Sequence, residues 1–138
     1  MKYYAVIDTN VLVSAAMNPE SVPGHVLELV LGGVIVPILN KEIIDEYHDV
    51  LLRPKFGFPE QIVSDILNEF NSQGITIDAE HIDINMPDPK DLVFYEVVME
   101  GRKKDDAYLV TGNIKHFPNK PFIVTPRQMI DIILESVS

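Results

Sequence analysis

Tyr3-Tyr4-Ala5-Val6-Ile7-Asp8-Thr9-Asn10 is the stretch on which the reading of this chain turns. An apolar, partly β-branched run of five residues is too short for a helix, and it ends on an acid. It reads as a buried strand that delivers a carboxylate to its own carboxyl end. Outward from it, strand and helix patterns alternate. Asn10 to Met17 is a short helix stopped by Asn18-Pro19. A second helix runs from about Ser21 to Leu31, with Pro23 in its first turn and Gly32-Gly33 closing it. Val34 to Leu39 is the next strand. Asn40 is a good N-cap for an amphipathic helix, Lys41 to Leu52, with Ile43, Ile44, Tyr47, Val50 and Leu51 on its apolar side.

Arg53-Pro54-Lys55-Phe56-Gly57 breaks that helix. Pro59 to Ser72 is another, with Ile62, Ile66, Leu67 and Phe70 at helical spacing, and Ile75 to Ile77 reads as a strand. The stretch from there to Met86 has no clear pattern. Pro87-Asp88-Pro89 turns the chain into a helix from about Lys90 to Glu100. Ala107 to Val110 is a strand, Thr111-Gly112-Asn113 a turn, and Phe122 to Thr125 a last strand. Pro126 opens a C-terminal helix to about Glu135. Strands alternating with helices predict an α/β fold, a three-layer α/β/α sandwich with a mainly parallel central sheet. With 138 residues and no linker, repeat or low-complexity tract, the expectation is a single domain over residues 1–138.

Composition narrows the function classes. There is no cysteine, which removes disulfides and thiolate metal sites. An acid so close to the N-terminus does not suit a signal peptide, and the longest apolar stretch, Val22 to Leu39, carries His25, Glu28, three Gly and two Pro. A cytoplasmic protein with no membrane partner is expected. The net charge of −10 argues against a partner held through its phosphates alone. An acidic excess also arises when carboxylates converge on a divalent cation, which then supplies the positive field itself.

Ligands in parallel sheets bind outside the carboxyl ends of the strands, and that rule turns positions into a site. Asp8 ends the first strand. Asn113 follows the strand Ala107 to Val110. Glu46 lies in the helix after the second strand, and Asp88 and Asp91 flank the start of the helix before the Ala107 strand. Each has an ordinary explanation: Asp8 as a helix N-cap, Glu46 on a solvated face, Asp88 or Asp91 as a cap. Asp105-Asp106, after Arg102-Lys103-Lys104, reads as a solvated turn. Only in combination do the acids suggest a site, and oxygen ligands from separated elements suit a hard cation such as Mg²⁺ or Mn²⁺. His25, His48 and His81 show no ligand spacing. His116 follows the strand-end turn, within reach of a substrate phosphate. Ser14 has no partner base for nucleophilic catalysis.

These residues carry a family resemblance. Ala5-Val6-Ile7-Asp8-Thr9-Asn10-Val11-Leu12-Val13-Ser14-Ala15 resembles the start of PIN domains, in which the first metal-binding Asp ends the first strand. Leu39 to Tyr47, followed by Leu52-Arg53-Pro54-Lys55-Phe56, resembles the helix carrying the second acid, which maps to Glu46. Asp88-Pro89-Lys90-Asp91 resembles the third acidic segment, with Asp91 as ligand. Leu109-Val110-Thr111-Gly112-Asn113-Ile114-Lys115-His116-Phe117 resembles the segment after the penultimate strand. The resemblance implies Mg²⁺ or Mn²⁺ held by Asp8, Glu46 and Asp91, with Asn113 completing the catalytic set. It also implies cleavage of RNA and a place among stand-alone PIN proteins that act as toxins, self-associate as dimers or higher oligomers, and are silenced by an antitoxin protein. Many members have Asp where this chain has Asn113, which removes one negative charge from the site. Thr9, Lys115 and His116 are substrate-binding candidates. Arg53, Lys55, Arg102, Lys103, Lys104 and Lys120 are further basic candidates, with Tyr108 and Phe117 as stacking neighbours.

A haloacid-type phosphatase also opens with an Asp after its first strand, but needs a second Asp two residues on, where Asn10 stands. A response-regulator receiver needs paired acids at the first strand and an Asp after the third, and neither is in place. The alternative to a nuclease is a non-catalytic PIN-like scaffold or binding module, for which Asn113 speaks. The convergent acids speak against it, because without a cation they repel one another.

Overall fold

The computed structural model describes residues 2–137; Met1 and Ser138, the ends of the expected domain, lie outside it. The opening run forms β1 (Tyr3–Ile7), whose last three residues are buried. It is followed by β2 (Ile35–Leu39), β3 (Ile75–Thr76), β4 (Ala107–Val110) and β5 (Ile123–Val124). Among the described residues these strands form a parallel sheet in the order β3-β2-β1-β4-β5. Strands covered on both faces need consecutive apolar residues, which Ala5-Val6-Ile7 and the fully buried Ile35–Leu39 supply. The helices are α1 (Thr9–Met17), α2 (Val22–Leu31), α3 (Lys41–Leu51), α4 (Glu60–Gln73), α5 (Leu92–Gly101) and α6 (Pro126–Ser136).

Strand order creates the layers. From β1 to β2 to β3 the chain steps outward in one direction, then returns past β1 to add β4 and β5. Parallel crossovers are right-handed, so steps in opposite directions send their helices to opposite faces. Accordingly α5 packs across β1, β2 and β4. The helices α1 and α2 pack on each other, with α3 beside α1, α4 beside α2 and α3, and α6 against α2. This is the α/β/α sandwich with a parallel sheet that the alternation predicts.

Local chemistry sets the helix starts. Ser21 and Asn40 each accept an amide of the following first turn, from Gly24 at 3.1 Å and Ile43 at 2.9 Å. Thr125 and Gln128 form a capping box ahead of α6, with Pro126 in its first turn. In the core, Tyr47 packs edge-on against Phe70, with ring centroids 5.8 Å apart. Its hydroxyl donates to the Ile7 carbonyl at 2.5 Å, tying α3 to the end of β1.

Two local expectations are corrected. The helix anticipated from Lys90 begins as a 3₁₀ turn, Pro89–Asp91, and α5 proper starts at Leu92. The Asp88 carboxylate captures the Lys90 amide at 3.0 Å and tightens the turn, leaving Asp91 at the junction. In α4 the buried stripe is Val63, Leu67 and Phe70, while Ile62 is 51% exposed. Ile62 lies about 100° around the helix from Val63, and that rotation takes it off the core-facing side.

Candidate active site

The strand order reverses between β1 and β4, and at such a switch point the crevice at the carboxyl ends of the strands is open for a ligand. Ile7 pairs with Val110, and the Asp8 amide still donates to the Val110 carbonyl at 2.9 Å. Asp8 and Thr111 therefore leave the sheet side by side. The Asp8 side chain makes no capping hydrogen bond with α1. Thr111, wholly buried, donates instead from Oγ1 to Asp8 Oδ2 at 2.8 Å and accepts the Asn113 amide at 3.0 Å.

The other acids arrive from separate elements. Glu46 comes from α3, where Tyr47 anchors the helix, and the Thr9 hydroxyl donates to Glu46 Oε2. Asp91 comes from the 3₁₀ turn, and Asp88 from the residue before it. Asp8, Glu46, Asp88 and Asp91 line one open cavity of about 200 Å³, with Thr9 and Asn10 in its wall and Arg53 and Lys90 also bordering it. The His116 ring stands 3.5 Å from Asp91 Oδ2. The Asn113 amide nitrogen lies 3.0 Å from His116 Nε2, so Asn113 holds the imidazole.

Crowding of carboxylates shows in their acidities. Burial raises the Asp8 pKa above its ordinary 3.8, opposed chiefly by the Thr111 hydroxyl. Asp91 is pushed up to about 6, first by burial, then by the negative charges of Asp8 and Asp88, with His116 opposing. Among the described residues no group of three or more His, Asp or Glu is already drawn together as a ready-made ion cage. Like charges in a partly dry pocket stay apart until a cation screens them. An all-oxygen set of this kind, drawn from separate elements, fits a hard divalent ion.

Comparison with known proteins agrees with this fold. A family model described as PIN domain matches residues 4–115, from β1 through the turn after β4. The chain belongs to the PIN-domain family. An uncharacterized protein of Methanocaldococcus jannaschii is 32% identical over 117 residues, covering 82% of this chain and 72% of its own length. PIN domains are a family of nucleases and typically use divalent metals.

In this PIN domain the sequence candidates separate by position. Asp8, Thr9, Glu46 and Asp91 meet at the cavity, and Asn113 and His116 stand at its Asp91 side. Lys115 points to solvent from the short 3₁₀ turn Ile114–His116 and is not among the cavity-lining residues. Phe117 is a core residue, 7% exposed, so it offers no stacking surface. Arg102, Lys103 and Lys104 precede β4 and so sit at the amino end of the sheet, as do Asp105 and Asp106, which form part of the turn the sequence suggests. His25, His48 and His81 are exposed. The residues that sequence reading passed over are Thr111 and Lys90. Thr111 carried a signal, a hydroxyl on the first residue beyond a buried strand, where only a polar partner lets it stay dry. Lys90 carried none.

Proposed function

We propose that this protein is a metal-dependent endoribonuclease in which Asp8, Glu46 and Asp91 hold Mg²⁺ or Mn²⁺. The observation that carries it is the convergence of carboxylates from β1, α3 and the 3₁₀ turn on one cavity at the switch point of the sheet. When bound, the ion activates water and offsets charge on the scissile phosphodiester. The protein's own residues prepare the place. Thr111 fixes the rotamer of Asp8, Thr9 fixes that of Glu46, and the Tyr47 anchor holds α3 at the end of β1. Asn113 sits against the His116 imidazole beside Asp91, at the rim where a substrate phosphate would approach the cavity. Lys115, on the same turn, supplies a solvent-side charge for the strand.

The biological reading is the toxin of a toxin–antitoxin pair, acting as a homo-oligomer in the cytoplasm and silenced by a cognate antitoxin. It is supported by the likeness of the whole motif order to stand-alone PIN proteins. Among the described residues no helix is long and apolar enough to cross a membrane.

The deciding experiment incubates the protein with a fluorescent single-stranded RNA and Mn²⁺, with an EDTA control and the Asp8→Asn variant. Cleavage by the wild type only, and only with metal, is expected. Equal cleavage by folded Asp8→Asn sinks the assignment. Absence of cleavage together with absence of Mn²⁺ binding by calorimetry turns the reading to a non-catalytic scaffold.

A further inference from the structure

We propose that the loop between α3 and α4, Arg53 to Phe58, is the track on which a single RNA strand lies as it leaves the carboxylate cavity, with Lys90 as a second phosphate contact. This rests on the ribonuclease reading above and identifies which surface binds the substrate. A strand approaching four acids on a chain of net charge −10 needs local cations, and two border the cavity: Arg53, just past the end of α3, and Lys90, from the 3₁₀ turn. Among the described residues the Arg53 guanidinium pairs with Asp49, at 3.5 Å, in a pair open to water on both sides. Such a pair holds its guanidinium weakly and leaves it free to take a phosphate.

Beyond Arg53 the loop continues with the chemistry of a single-strand platform. The ammonium of Lys55 lies 5.1 Å from the centre of the Phe56 ring, and the rings of Phe56 and Phe58 stack at 5.6 Å with 12° between their planes. Both phenylalanines are partly buried and pack against the core. Gly57 between them takes φ +66°, a conformation that L side chains rarely adopt, so the turn that presents the pair depends on glycine. Cations alternating with aromatic faces bind single strands through the backbone and through base stacking, with little sequence preference. The chain's other basic cluster stands at the amino end of the sheet, away from the cavity. Arg102 covers the Phe122 ring and bonds the Ala107 carbonyl, and Lys103 pairs with Glu80 and Glu100.

The test titrates a fluorescein-labelled oligo-uridine single strand by anisotropy over a series of salt concentrations. The parent is the wild-type chain with Ca²⁺ in place of Mn²⁺, so that the acids keep a cation and the strand is bound without being cut. Onto it are placed Arg53→Gln, Lys90→Gln, Phe56→Ala, Phe56→Leu and, at the far end of the sheet, Lys104→Gln. Each of the first two should weaken binding about fivefold to tenfold and lower the slope of log K against log salt by about 0.7. Both Phe56 variants should weaken binding about tenfold with the slope unchanged; the leucine keeps the apolar packing and removes only the ring face. Lys104→Gln should stay within about twofold of the parent. Parent-like binding by the Arg53 and Lys90 variants, or no binding by the parent, overturns the track. If the wild type still cleaves RNA in that case, the nuclease reading survives; if it neither binds nor cleaves, both fall.

Discussion

Burial and the charges of Asp8 and Asp88 push Asp91 up to about 6, from an ordinary 3.8. Folding therefore favours its protonated form. In the absence of a cation, the stability this gives is fully present below about pH 4 and is lost as pH rises through about 6. In EDTA, the melting temperature of the wild type should fall relative to that of Asp91→Asn between pH 4 and pH 7. Parallel curves for the two proteins would remove Asp91 from the crowded cluster. Thr111 makes a second prediction at this scale. Replacing it by Val leaves both Asp8 Oδ2 and the Asn113 amide without the partner they now share. Urea unfolding should show a loss of about 1–3 kcal/mol, largely recovered in Thr111→Ser. Asp8 was legible in sequence as a candidate because it stands at a strand end, Glu46 because its helix follows a strand, and Asp91 because it opens the helix before β4. Asp88 was legible only as a cap. Its second role, charging Asp91, needs the distance between the two side chains.

Helix α3 shows how an element turns local pattern into a site. Its apolar residues Ile43, Tyr47 and Leu51 bury, which by helical geometry leaves Glu46 on the flank nearer solvent. The Tyr47 hydroxyl reaches the last carbonyl of β1 and fixes the height of α3 along the sheet. Tyr47→Phe should cost about 1–2 kcal/mol in denaturant. Because Glu46 is the next residue, calorimetry should also show weaker Mn²⁺ binding in that variant; unchanged affinity would mean that Thr9 alone positions the acid. Periodicity read α3 correctly because its charged and apolar faces are sharply divided. In α4 it admitted Ile62, since Ile62 and Val63 are adjacent apolar residues and only packing against β2 and α2 decides which of them turns inward. The 3₁₀ turn at Pro89–Asp91 escaped for a related reason: the pattern marks that a helix starts, not how tightly its first turn is wound.

For the whole molecule, the site stores repulsion that a cation relieves. An ion that binds only the folded state stabilises it by mass action, by about 2.7 kcal/mol at a hundred times its dissociation constant. Mn²⁺ should raise the melting temperature of the wild type at pH 7 and leave that of Asp8→Asn nearly unchanged. A wild-type melting temperature indifferent to Mn²⁺ would contradict the metal site. The sequence by itself determined the class of fold and the parallel sheet, because consecutive apolar runs, caps and turns are local properties written in neighbouring residues. Tertiary structure alone decided the order β3-β2-β1-β4-β5 and with it the switch point. It also decided that Thr111 serves Asp8, and that Arg53 and Lys90, not the Arg102–Lys104 cluster, border the cavity. Those pairings join residues far apart in the chain or divide like residues between the two ends of a strand, and only the path of the chain in space sets such distances.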